Sequence, residues 1–168
     1  KAHDIDYVLQ EQPILMITPD VFQTNRSKEA TARLGYLPIY EKENAFTYLR
    51  SYDQVAIIDS DVYIRPYAPN VFEFLEPEYD FGGVVEREMP NTEAYKSKIR
   101  GYSAMQYQTI KHVDFKKNDL GYEFMNMGVM IMNKSVLNYL NGMTPLQFLR
   151  QPKFKAFVDG LGPWKWST

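Results

Sequence analysis

The chain has 168 residues, 45% of them hydrophobic, which is enough for one domain with a real core and too long to depend on metal or disulfide staples. Its 19 basic and 21 acidic residues leave a formal net charge of -2, so no broad basic surface recruits nucleic acid or an anionic membrane. Cysteine is absent, which excludes disulfides and thiolate metal sites and mildly favours a reducing compartment.

In chain order, Lys1-Ala-His-Asp followed by alternating apolar residues at 5–9 reads as a helix end entering a strand, as in a segment of a longer protein. No signal-peptide core opens it, and the most apolar stretch, 124–132, is too short to span a bilayer. Residues 10–33 are polar and broken by Pro13 and Pro19, with a helix expected around 27–34. Between 39 and 52, Ala45, Phe46, Leu49 and Tyr52 recur at three or four residues and predict an amphipathic helix. It feeds an apolar, β-branched run at 55–58, the pattern of a strand covered on both faces in a parallel sheet flanked by helices.

Asp59 and Asp61 close that strand. In an extended chain residues i and i+2 point the same way, so both carboxylates face one site while Ser60 faces the other. Carboxylates that close repel, and Mg²⁺ or Mn²⁺ is the natural neutralising partner. Such ions commonly take one or two carboxylates and complete their shell with water and phosphate oxygens, which points to a phosphate-bearing ligand rather than simple turn capping. Asp53, about 20 Å away along an extended chain, is read as a turn or capping residue.

Pro66 and Pro69 force a turn, and a short helix at 70–75 is ended by Pro77. Residues 79–85 form a second core strand whose Gly82-Gly83 pair permits close approach by a ligand or a neighbouring strand. Glu86 and Glu88 follow it and read first as solvated loop charges. If the two strands are parallel they share the Asp59 edge as candidate bases or acceptor contacts. The polar section 86–120, with a helix from Thr92 to about Tyr107, is expected to lie over the site as a lid or acceptor region. His112 within it reads as a surface histidine.

Residues 124–133 form the third core strand, with Asn126 and Gly128 near its start. Asn126 either satisfies a buried amide or presents that amide to a ligand hydroxyl, and both readings stand. Thr144-Pro145 carries N-cap and N1 chemistry for another helix, 152–158 continues as helix to Gly160, and Ser167-Thr168 is again capping chemistry. Aromatic residues make up 15% of the chain, and their spacing reads mostly as packing rather than ligand stacking.

Together, the strand ending in Asp59-Ser60-Asp61, the glycine-bearing strand and the later Asn126-Met127-Gly128-Val129 strand resemble the GT-A fold glycosyltransferases, in particular the glycogenin-like and lipopolysaccharide galactosyltransferase-like group, over residues 5–133. The resemblance implies one α/β catalytic domain over 1–168, Rossmann-like with a mostly parallel central sheet flanked by helices. The domain would be partial, since the family's first, base-binding strand and its C-terminal metal-binding His have no counterpart here. It further implies a hexosyltransferase that moves a sugar from a nucleotide-diphosphate donor, with uridine as the expected nucleoside, to a hydroxyl of a glycan, lipid or protein. Asp59 and Asp61 would hold Mn²⁺ or Mg²⁺ on the diphosphate, with Ser60 in the same donor loop. Lys42, by itself a solvated helix charge, would contact donor phosphate or sugar. Asn126, Gly128 and Glu86 would touch the transferred sugar or the acceptor. The expected location is cytoplasmic, or the Golgi lumen if an anchor lies outside this segment.

Two other readings remain. One is a phosphohydrolase of the haloacid dehalogenase type with Asp59 as nucleophile, although Tyr63 stands where Thr or Val is wanted. The other is a non-catalytic sugar-nucleotide or glycan-binding domain.

Overall fold

A computed structural model describes residues 5–18, 25–107, 117–118 and 121–152. An irregular segment at 5–18 precedes α1 (Asn25–Leu34), and a 3₁₀ helix (Pro38–Asn44) runs directly into α2 (Ala45–Tyr48) and β1 (Gln54–Ile58). A second 3₁₀ turn (Val71–Phe74) leads to β2 (Phe81–Val85), a third (Glu86–Glu88) to α3 (Glu93–Tyr107). A small ladder pairs β3 (Lys117–Asn118) with β4 (Gly121–Tyr122), and β5 (Met125–Asn133) precedes α4 (Leu137–Leu140) and α5 (Pro145–Leu149). The helix expected at 152–158 lies, beyond its first residue, outside the described residues, as do Lys1, His112 and the Ser167-Thr168 cap.

The architecture is α/β, and its main sheet has the order β1-β5-β2. β5 is antiparallel to both neighbours, with Gln54 opposite Asn133 and Ile58 opposite Val129 on one side and Phe81 opposite Met132 on the other. The expected mostly parallel sheet is therefore corrected: among the described residues every strand pairing is antiparallel. The apolar run at 55–58 does not report cover on both faces: among the described residues β1 is an edge of this sheet, with Gln54–Ile57 half-buried and Ile58 exposed, and only β5 is central. Because β1 and β2 both oppose β5, they still run in the same direction. The ends of β1 and β2 and the start of β5 consequently share one end of the sheet.

The core is built on the second half of β5, where Met130, Ile131 and Met132 are buried together with Leu49, Leu75 and Leu140. Full burial of one such side chain contributes about 1.5–3 kcal/mol. A Cβ placed on Gly82 would stand 3.1 Å from Ile131 Cγ2 and 3.3 Å from Leu75 Cδ1, so that glycine admits core side chains rather than a ligand. At the sheet end away from Asp59, the buried Asn133 amide donates to the carbonyls of Glu76 and Tyr79 and accepts from Gln54 Nε2, tying the loop before β2 to the sheet. Thr144 caps α5 through a reciprocal capping box with Gln147, as its Thr-Pro start predicts.

Residues 5–9 are not a strand. Tyr7, Val8 and Leu9 are exposed there, and their alternation finds no partner strand among the described residues. The following turn is held instead by Glu41. Its carboxylate accepts the backbone N–H groups of Ile14 and Met16, each at 2.7 Å, of Leu15 at 3.1 Å, and the Gln10 side-chain amide at 2.7 Å. Three successive N–H groups around one anion form a nest, aided by the left-handed backbone of Met16 at φ 46.

Candidate metal and donor site

β1 ends at Ile58, and the chain does not stay extended through both carboxylates. Asp59 keeps one further ladder bond, its N–H donating to Gly128 O at 2.8 Å, and then opens a tight turn in which Val62 N–H returns to Asp59 O at 3.0 Å. Asp59 and Asp61 therefore belong to one four-residue turn with Ser60 between them, and the alternation of an extended strand does not govern where they point. Asp59 is partly covered, while Ser60 and Asp61 are exposed.

Lys42 is not a solvated helix charge. From the 3₁₀ helix Pro38–Asn44 its Nζ reaches Asp59 Oδ1 at 2.5 Å and donates to the Met127 carbonyl at 2.7 Å, with the lysine side chain 21% exposed. Glu41, one residue earlier, anchors that 3₁₀ helix to the 14–16 nest and so fixes the base from which the lysine extends.

The start of β5 explains why Met127 O is available. Val84 pairs with Asn126 and Gly83 with Met130, so residues 127–129 bulge out of the β2 ladder toward β1. Asn126 Oδ1 accepts the Gly128 N–H at 2.8 Å inside the bulge, which resolves half of the question about this amide: its oxygen is structural. Its Nδ2 group has no partner among the described residues, and Asn126 lines an adjacent cavity. Gly128 is needed for close approach, since a Cβ there would lie 2.9 Å from Asn126 Oδ1, 3.7 Å from Val62 Cγ2 and 3.8 Å from Asp59 Oδ2.

That cavity, about 300 Å³, lies between α3 and the first residues of β5, with Glu86, Tyr95, Lys98, Tyr102 and Asn126 in its walls. Glu86 is buried at 7% exposure, which corrects the reading of it as a solvated loop charge. Its N–H is held by Phe124 O at 2.7 Å, and its Oε1 accepts the Tyr95 hydroxyl at 2.8 Å. That bond to Glu86, followed by burial, raises the Tyr95 phenol above its usual value. Burial, followed by the proximity of Tyr95, pushes Tyr102 up to about 12, and its ring meets Phe124 edge-on at 5.0 Å. α3 packs over Glu86 through Tyr95. Glu88 is exposed.

Asp59, Lys42, Gly128, Asn126 and Glu86 thus gather at one sheet end, with Asp61 and Ser60 on its turn, while Asp53 sits at the opposite end of β1. Since strands lie about 4.8 Å apart, the axes of β1 and β2 are about 10 Å apart across β5. Among the described residues no group of three or more His, Asp or Glu side chains converges as a metal cage. Mg²⁺ and Mn²⁺ accept one or two carboxylates and take the remaining oxygens from water and phosphate, so Asp59 and Asp61 on one turn are the candidates to hold such an ion. Sequence reasoning missed Glu41, the Met127 carbonyl and Tyr95. Glu41 and the Met127 carbonyl act across long stretches of chain, and Tyr95 reaches Glu86 only because a turn folds α3 back over the end of β2, so none carries a local signal.

No protein-family model matches this chain, and no curated protein or solved structure matches it either. No helix among the described residues is long and apolar enough to cross a membrane.

Proposed function

We propose that the chain transfers a sugar from a nucleotide-diphosphate donor to an acceptor hydroxyl, in the manner of the GT-A glycosyltransferases it resembles. The observation that carries this reading is the gathering of Asp59, Lys42, Asn126 and Glu86 at one sheet end beside a mostly apolar cavity into which Asn126 and Glu86 bring polar groups. A carboxylate beside an ammonium, with a second carboxylate on the same turn, suits a cation–diphosphate pair, and a carboxylate with an amide in a mostly apolar cavity suits ring hydroxyls.

As the bond to the sugar breaks, negative charge grows on the departing diphosphate. Asp59 and Asp61 would hold Mn²⁺ or Mg²⁺, which would supply Lewis-acid stabilisation of that charge. Lys42 adds a point charge suited to phosphate oxygens, on a base fixed by Glu41. Asn126 Nδ2 donates to a hydroxyl of the sugar or acceptor, and Glu86, oriented by Tyr95, accepts a hydrogen bond from an acceptor hydroxyl and holds it in place.

Titration calorimetry of uridine diphosphate in Mn²⁺ tests the donor half, with Asp61→Ala expected to bind more weakly than wild type. Equal affinity in the two proteins overturns the metal role. A screen of nucleotide sugars with saccharide acceptors tests transfer itself, and tight Mn²⁺-dependent binding with no turnover of any donor would favour a non-catalytic sugar-nucleotide module instead.

A further inference from the structure

Lys42 places a cation on the same carboxylate that the donor-site reading assigns to a metal. Its Nζ is 2.5 Å from Asp59 Oδ1 and is steadied by the Met127 carbonyl at 2.7 Å. An ammonium and a divalent cation both seek that oxygen, and each weakens the other's hold on it. The two ends of Lys42 differ in freedom. Its backbone sits in a 3₁₀ helix pinned by Glu41, while its head is carried on a flexible four-carbon stem. The head can therefore leave Asp59 without moving the helix.

We propose that Lys42 and a divalent cation exchange at Asp59: the ammonium occupies the carboxylate until a cation takes it, and the displaced ammonium then binds the diphosphate of the donor. The inference rests on the donor-site reading and adds a regulation of that site. Lys42 opposes cation binding alone and favours nucleotide binding once the cation is present, so the two ligands bind with positive coupling. Each raises the other's affinity by the same factor, because the coupling is reciprocal. Until the cation arrives, the pair also lowers the cost of leaving a partly covered carboxylate without a counter-charge.

Calorimetric titration with MnCl₂ alone, and with uridine diphosphate at saturating Mn²⁺, tests the exchange. Lys42→Met is expected to bind Mn²⁺ alone about fivefold more tightly, the upper range for a partly exposed ion pair. The same variant should bind uridine diphosphate about tenfold more weakly, having lost a charge-assisted contact to phosphate. Unchanged or weaker Mn²⁺ binding by Lys42→Met, with Mn²⁺ binding lost in Asp59→Asn, overturns the exchange and leaves the metal site standing. Wild-type Mn²⁺ affinity in Asp59→Asn overturns the donor-site reading and the exchange with it. Because Lys42→Met also loses the Met127 contact, amine acylation of the wild-type protein, read by mass spectrometry, supplies a measurement that needs no variant. Labelling of Lys42 should rise with MnCl₂ and fall again when uridine diphosphate is added. Labelling that is indifferent to Mn²⁺ overturns the exchange.

Discussion

The side-chain oxygen of Asn126 accepts the backbone N–H of Gly128, two residues further along the same strand, at 2.8 Å. That bond holds the bulge by which β5 leaves β2 and presents Met127 O to Lys42 and Gly128 O to Asp59 N–H. Asn126→Ala should therefore cost about 0.5–1.5 kcal/mol, the net worth of one such bond. Gly128→Ala should cost a similar amount, because its Cβ would stand 2.9 Å from Asn126 Oδ1 and push the amide off. Both changes break the same bond, so in a double-mutant cycle by denaturant unfolding the pair should fall short of additivity. Strict additivity would mean that the bond contributes nothing.

Tyr95→Phe removes the hydroxyl that orients Glu86 while keeping the ring. The buried carboxylate then loses a donor, at a cost of about 1–2 kcal/mol. In the proposed enzyme the acceptor KM should rise, with the affinity for uridine diphosphate in Mn²⁺ unchanged. Calorimetry and initial rates measured on the same preparation separate the two effects. A matching loss of nucleotide affinity would show that the cavity is not an independent acceptor side.

Glu41 makes the stability sensitive to acid. Burial raises its carboxyl, but the N–H groups of Ile14, Met16 and Leu15 and the Gln10 amide outweigh it and hold the carboxyl below its ordinary value of 4.5. A carboxyl with a depressed folded-state pKa binds its proton more tightly in the unfolded chain. Its contribution is complete above the unfolded value and is lost as the pH falls through the folded one. Glu41→Gln should lower stability by on the order of 1 kcal/mol at neutral pH, since the bonds are charge-assisted but open to water. The gap between variant and wild type, followed by thermal melts, should narrow as the pH falls below 4.5.

Asn133→Ala provides the contrast at the other end of the sheet. It removes the buried amide that bridges Gln54 to the carbonyls of Glu76 and Tyr79, and should cost about 2–3 kcal/mol. At a temperature where the variant stays folded, its Mn²⁺ and uridine diphosphate affinities should equal those of wild type, because it touches nothing at the Asp59 end. A loss confined to binding, with stability unchanged, would reverse the assignment of the two ends.

Much of the local structure was legible in residue order. The strands expected at 55–58, 79–85 and 124–133 appear as Gln54–Ile58, Phe81–Val85 and Met125–Asn133, and the helix expected from Thr92 to Tyr107 appears as Glu93–Tyr107. Apolar runs, glycine and proline breaks and the Thr144 cap act within a few residues, so they leave a local trace. The helix expected over 39–52 is mostly a 3₁₀ turn opened by Pro38, with only Ala45–Tyr48 as α-helix. Of the apolar residues whose spacing predicted it, Leu49 is buried, Ala45 and Phe46 are half-buried and Tyr52 is exposed, so the spacing located the core contact at Leu49 without reporting the pitch.

By itself the sequence determined which residues form the three core strands, and that two carboxylates and a glycine-spaced asparagine terminate them. Only the tertiary structure decided that β5 runs between β1 and β2 in the opposite direction, that Lys42 closes on Asp59, and that Glu86 is buried under Tyr95. Strand direction and long-range pairing depend on how distant segments pack. A lysine and an aspartate 17 positions apart, or an asparagine bulge that exposes one carbonyl, leave no periodicity in the chain from which they can be read.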